Sequence, residues 1–181
     1  DKYLEPIFNY DILKENEGFL YTNYFGLKNK FILNLTKVSS NILIDNAQSF
    51  FSKPIPGIDT FYSARKFFGV SDGAYLYTDK KLATVFDIDD STSRITHLVK
   101  RIEYGAEKGY IDFLKIEEEL KNQPILQMSK LTDKVMKSID YTFVKNTRLK
   151  NLNYLMKELN SFNELNFNMV VDTVPMIYPF L

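Results

Sequence analysis

The chain has 181 residues, 45% of them hydrophobic, with 23 basic and 23 acidic side chains, no cysteine and one histidine. That is one domain's worth of sequence, and its balanced charge (pI ≈ 6.8) argues against a nucleic-acid or membrane-surface protein, both of which carry a basic excess. The missing cysteines exclude disulfides, thiolate catalysis and cysteine zinc sites; with only His97 present and no bilayer-length apolar run or leader pattern, the expectation is a soluble cytoplasmic protein with no resident metal.

Gly18–Gly26 is aromatic and bounded by glycines, which predicts a buried strand. Leu27, Phe31, Leu35 and Val38 then recur on one face of a helix that ends at Ser39-Ser40. Asn41-Ile42-Leu43-Ile44-Asp45 is a second short strand that stops on an acid. Strand, helix and strand with short joins make a βαβ unit and hence parallel pairing. Ligands sit at the carboxyl ends of such strands, so Asp45 stands where chemistry is expected. Pro54 and Pro56 interrupt the following loop. Thr60–Ser63 and Gly73–Thr78 are two further strands, joined by a tight connection over 64–72.

Beyond residue 90 the period becomes helical. Ser91-Thr92-Ser93 can cap a helix carrying Ile95, Leu98, Val99 and Ile102, and Tyr110, Phe113, Leu114 and Leu120 continue the pattern. Met128, Leu131, Val135 and Ile139 form another stripe. Asp140 caps a last helix with Leu149, Leu152, Leu155, Met156, Leu159 and Phe162 as its apolar positions. The apolar run Val174–Leu181 reads as a terminal strand. The fold class is α/β, a mostly parallel sheet with flanking helices and a helical second half. The expected division is a central α/β segment over 1–125, then helices and a strand over 126–181. The start at Asp1 and the apolar finish suggest a fragment of a longer polypeptide.

An acid at a strand end and a lysine on a turn between two strands suit pyridoxal phosphate. That cofactor needs a lysine for its Schiff base and a carboxylate to keep its pyridine nitrogen protonated. Asp45-Asn46-Ala47-Gln48, followed by Lys66 and then Gly69-Val70-Ser71-Asp72-Gly73-Ala74-Tyr75-Leu76-Tyr77-Thr78, resembles the DegT/DnrJ group of fold-type I pyridoxal-phosphate enzymes, the sugar aminotransferases. Tyr24-Phe25-Gly26, Met128-Ser129 and the helix with Arg148 are similar to further family segments.

The resemblance implies part of the large domain of a fold-type I transferase, lacking the amino-terminal part and the small domain. Lys66 would form the Schiff base and shuttle the proton. Asp45 would pair with the pyridinium nitrogen, Gln48 would lie near the ring oxygen, and Ser63 is the candidate phosphate contact. The activity implied is amino transfer to a nucleotide-linked keto-sugar, with glutamate as donor, in a cytoplasmic homodimer. A lysine at 66 disfavours the dehydratase branch, which has histidine there.

Several positions depart from the family pattern. Asp45 and Lys66 are only 21 residues apart, Ala74 replaces a glycine, Ser63 stands three residues before the lysine, and no asparagine precedes Met128-Ser129. These departures keep a second reading open, a non-catalytic descendant serving as a binding or assembly partner. A plain α/β binding domain is the third. His97 is expected as a helix histidine, Asp87-Asp89-Asp90 as a solvated loop and Glu117-Glu118-Glu119 as a solvated helix face. Asn34-Leu35-Thr36 matches a glycosylation sequon but falls within a predicted helix.

Overall fold

Short aromatic and β-branched runs, punctuated by glycine and proline, pair into one four-stranded sheet in the computed structural model, which describes residues 3–9, 13–14, 16–39, 41–165 and 173–181. The strands β1 (Phe19–Thr22), β2 (Ile42–Asp45), β3 (Thr60–Ser63) and β4 (Ala74–Tyr77) lie in sequence order across the sheet. β1 and β2 are parallel, as are β2 and β3, while β4 returns antiparallel to β3. The fold is α/β with a mixed sheet, and the expected βαβ unit is present, its crossover being α1 (Asn29–Val38). Ser40, expected at the end of that helix, lies outside the described residues.

The period of two along the strands sends alternate side chains to opposite faces. Tyr21, Ile42 and Ile44 face α1 and meet Ile32 and Leu35, with Ile58 closing the cluster. Burying each such side chain stabilises the fold by about 1.5–3 kcal/mol. Val38, counted on that helix face from spacing, is exposed instead, because it lies at the helix's last residue, and Ile32 takes the inward position.

The helical half comprises α2 (Thr96–Tyr104), α3 (Ala106–Lys121), α4 (Lys130–Lys137) and α5 (Tyr141–Leu159). Ser129 caps α4 by accepting from the Thr132 N–H at 3.1 Å, and Asp140 caps α5 by accepting from the Phe143 N–H at 2.9 Å. Met136 of α4 packs against Ala64 and Val70, so residues beyond 125 share a core with the β3–β4 connection. The α2–α3 pair departs from its predicted faces. His97 is the buried residue of α2, whereas Val99 and Ile102 are exposed, Ile102 by 85%. The pair meets instead through Gly109, where a Cβ would stand 2.5 Å from the His97 carbonyl oxygen.

The predicted terminal strand is absent: residues 173–181 form no strand. Pro175 and Pro179 lack the N–H donors a ladder needs. The segment is held instead by the Met176 N–H donating to the Phe25 carbonyl at 2.9 Å and by Arg148 Nη1 donating to the Met176 carbonyl at 3.1 Å. Asn163 fastens the end, its Nδ2 donating to the Pro179 carbonyl at 2.9 Å and its Oδ1 accepting from the Leu181 N–H at 3.1 Å.

A buried polar cluster joins the two halves. Asp72, ahead of β4, accepts from Thr132 Oγ1 at 2.6 Å, Ser91 Oγ at 2.6 Å and Arg94 Nε at 3.0 Å. Arg94 also pairs with Asp89. Gly73 beside it, at φ 101°, leaves no room for a side chain, since a Cβ would meet Thr132 Cγ2 at 2.8 Å. Burial pushes the Asp72 carboxyl up, but the hydrogen bonds from Ser91, Thr132 and Arg94 outweigh it and hold the carboxyl below its ordinary value.

Arg94→Leu should lower stability in urea unfolding by about 3–5 kcal/mol, because it leaves Asp72 charged and buried. Because the Asp72 carboxyl sits lower in the folded chain than in the unfolded one, its contribution is complete above about pH 4 and disappears as pH falls through the folded value. An acid titration of the variant should therefore be flatter than that of the parent. Gly109→Ala should cost about 1–3 kcal/mol in the same assay, since its methyl group must push α2 off α3.

Candidate functional site

The parallel strands β2 and β3 end at the same edge of the sheet, and two of the expected site residues, Asp45 and Ser63, stand there. The register pairs Thr22 with Asp45, Asp45 with Phe61 and Phe61 with Leu76. These four form one row across the face opposite α1, and Ser63 stands on the same face two residues past Phe61. The leucines beside this row, Leu20 and Leu43, are exposed along with Leu76.

Asp45 is half-buried. Its Oδ1 accepts from the Ala47 N–H at 2.7 Å, an Asx turn that bends the chain away from the strand. Its Oδ2 lies 3.4 Å from Thr22 Oγ1, which donates to it. Below the turn, Asn46 is almost fully buried, and Asn23 Nδ2 donates to its Oδ1 at 2.9 Å. Asn23 in turn holds Asn29 Oδ1 at 2.8 Å and Ser49 Oγ at 3.1 Å. A buried amide and hydroxyl network thus fixes the loop that carries Asp45 and Gln48. Gln48 is half-buried, and its Oε1 is shielded from solvent with no hydrogen-bond partner among the described residues.

Lys66 lies in the tight turn after β3, whose backbone closes with the Phe67 and Phe68 N–H groups donating to the Ala64 carbonyl at 3.1 and 3.0 Å. Its side chain is exposed and forms no ion pair among the described residues. The neighbouring Arg65 pairs with Glu117 of α3, with Nη2 donating to Oε2 at 3.3 Å, which ties the turn to the helical half. Lys66 opens on a cleft of about 690 Å³ whose far wall is α2 and α3, with His97 and Arg101 among its lining. Asp45 does not line this cleft, and no ion pair joins Asp45 to Lys66. The expected site residues thus divide: Asp45 and Ser63 close β2 and β3 on one face, Gln48 follows in the loop after β2, and Lys66 lies on the turn after β3.

The remaining candidates have structural roles. His97 is buried, with Nδ1 2.8 Å from the Arg94 carbonyl; a carbonyl only accepts, so Nδ1 carries the proton. Asp89 is taken by Arg94, and Asp90 accepts from the Thr92 N–H at 2.8 Å. No group of three or more possible metal ligands exists among the described residues. Glu117 departs from the expected solvated face, because Arg65 draws it inward, whereas Glu118 pairs with Lys121 at the surface. No helix among the described residues is long and apolar enough to cross a membrane. Sequence spacing gave no sign of the Asn23–Asn46–Ser49 network, whose members are short polar residues scattered through loops.

Comparison with known protein families, with curated proteins and with solved structures gives no match to the chain.

A buried acceptor without a donor weakens a fold. Gln48→Leu should therefore leave stability unchanged or raise it by up to about 1 kcal/mol. Thermal unfolding of the variant measures this, and it separates a structural glutamine from one kept for a ligand.

Proposed function

We propose that the protein is a pyridoxal-phosphate-dependent aminotransferase of the fold-type I, DegT/DnrJ-like kind, acting on a nucleotide-linked keto-sugar in the cytoplasm as a homodimer. The observation that carries this reading is the pairing at one sheet edge: an acid closing β2, and a lysine in the turn after its parallel neighbour β3. The residue types support the reading: a carboxylate, an amine that forms no ion pair among the described residues, a hydroxyl on the same face as the acid, and a Gln48 carbonyl oxygen with no hydrogen-bond partner among the described residues.

Pyridoxal phosphate, when bound, supplies an electron sink for the carbon that exchanges the amino group. Asp45 would hold a proton on the pyridine nitrogen, its carboxylate kept in place by the Ala47 N–H and Thr22. The Gln48 amide can turn either its donor or its acceptor toward the ring oxygen. Ser63 would donate its hydroxyl to the phosphate. Lys66 would attach the cofactor through Nζ and carry a proton to and from the reacting carbon, its reach set by a turn that Arg65 anchors to Glu117. The sugar and its amino donor would enter from the cleft on which Lys66 opens.

One observation favours the second reading, a non-catalytic protein that keeps the fold for binding or assembly: Asp45 does not line the cleft that Lys66 lines. An absorbance scan with added pyridoxal phosphate separates the two. The enzyme reading expects a visible band, trapped on Lys66 by borohydride reduction and located by peptide mapping. Lys66→Ala should abolish the band, and Gln48→Leu should weaken cofactor affinity without loss of stability. A folded protein with no band overturns the enzyme reading in favour of the second.

A further inference from the structure

On the α1 side of the sheet, away from Asp45 and Lys66, lies a cavity of about 450 Å³. That volume is within the range of small-molecule sites. Its apolar wall comes from α1, β2 and the proline-containing loop, with Ile32, Ile44, Phe51 and Ile55 the chief contributors. Its charged residues are Lys53 and Lys145, and no acidic side chain lines it. Neither lysine forms an ion pair among the described residues, and no acidic side chain in the cavity wall offers one.

The uncharged polar groups at the cavity have the same bias. Asn29 Oδ1 already accepts from Asn23 Nδ2 at 2.8 Å and from Ser52 Oγ at 2.8 Å. Asn46 Oδ1 accepts from Asn23 Nδ2 at 2.9 Å, and Thr60 Oγ1 donates to the Ile58 carbonyl at 3.2 Å. The carbonyl oxygens of both amides are thus engaged inside the protein, while the two ammonium groups and the Asn29 amide N–H groups have no partner among the described residues. An apolar wall beside two cations that have no ion-pair partner among the described residues suits an anion with an apolar body.

We propose that this cavity binds a small amphiphilic anion, with its carboxylate or phosphate head at Lys53, Lys145 and Asn29 and its apolar body against Ile32, Ile44 and Phe51. The site is independent of the cofactor reading, since none of Asp45, Gln48, Ser63 or Lys66 lines it.

Titration calorimetry with octanoate, octyl phosphate and octanol tests this. At least one of the two anions should bind about tenfold or more tightly than octanol, and which one wins decides between a carboxylate and a phosphate ester as the natural head. The double variant Lys53→Gln, Lys145→Gln should lose about tenfold in anion affinity and leave octanol unchanged. Should that variant fail to fold, Leu33→Trp, placed at the exposed lip of the cavity, should block the anions instead. Octanol binding as well as both anions, unchanged anion affinity in a folded variant, or no binding of either anion overturns the proposal.

Discussion

Asp72 and Arg94 hold the two halves of the molecule together, and the placement of everything near the candidate site depends on them. Neither charge could be buried alone, because desolvating an isolated carboxylate or guanidinium costs several kcal/mol. Ser91, Thr132 and Arg94 converge on one carboxylate, and Ser129, cap of α4, adjoins the same cluster through Ser91 Oγ at 2.5 Å. The start of β4, the entry to α2 and the entry to α4 therefore meet at one point. The turn with Lys66 hangs between β3 and that point, with the Arg65–Glu117 pair as its second tether.

The sheet serves two purposes on its two sides. The side facing α1 is core, filled by Tyr21, Ile42 and Ile44. The other side carries the row from Thr22 through Asp45 to Leu76 and leaves Leu20, Leu43 and Leu76 in contact with solvent. An acid on an open apolar face, at the end of a parallel strand, is held by only two hydrogen bonds, so a ligand there can meet it with little rearrangement. The polar network under the Asp45 turn, in contrast, is closed upon itself and rigidifies the loop from beneath.

Strand and helix order was legible because glycines, prolines and caps punctuate the chain. Gly18, Ser129 and Asp140 each stand at the start of the element that follows them, whereas Ser91, expected in a helix cap, turns its hydroxyl to Asp72 and leaves α2 without a side-chain cap. Helix faces were less so. Apolar spacing identifies Val99 and Ile102 as one stripe, but it cannot say whether anything covers that stripe, and Gly109 draws α3 to the His97 side instead. The last run failed as a strand because its two prolines remove donors while leaving hydrophobicity untouched. Of the candidate site, Asp45 at a strand end and Lys66 on a turn could be read from local pattern. That Lys66 faces a cleft walled by α2 and α3, which Asp45 does not line, could not, since those helices lie tens of residues further along the chain.

β4 is the last strand of the sheet, and its outer backbone groups face no other strand among the described residues. Ala74-Tyr75-Leu76-Tyr77 contains no charge, no proline and two exposed large side chains. Open strands of this composition add further strands and seed aggregates. The charges that oppose such growth lie just beyond the strand, in Asp79, Lys80 and Lys81, all exposed. Asp79 is fixed by the Gly57 N–H at 2.8 Å, and Lys80 is held by Asp59 at 2.8 Å. The charges nearest this open edge thus lie outside the sheet, so changes near residue 80 would alter how copies of the chain tolerate crowding while leaving the folded core untouched.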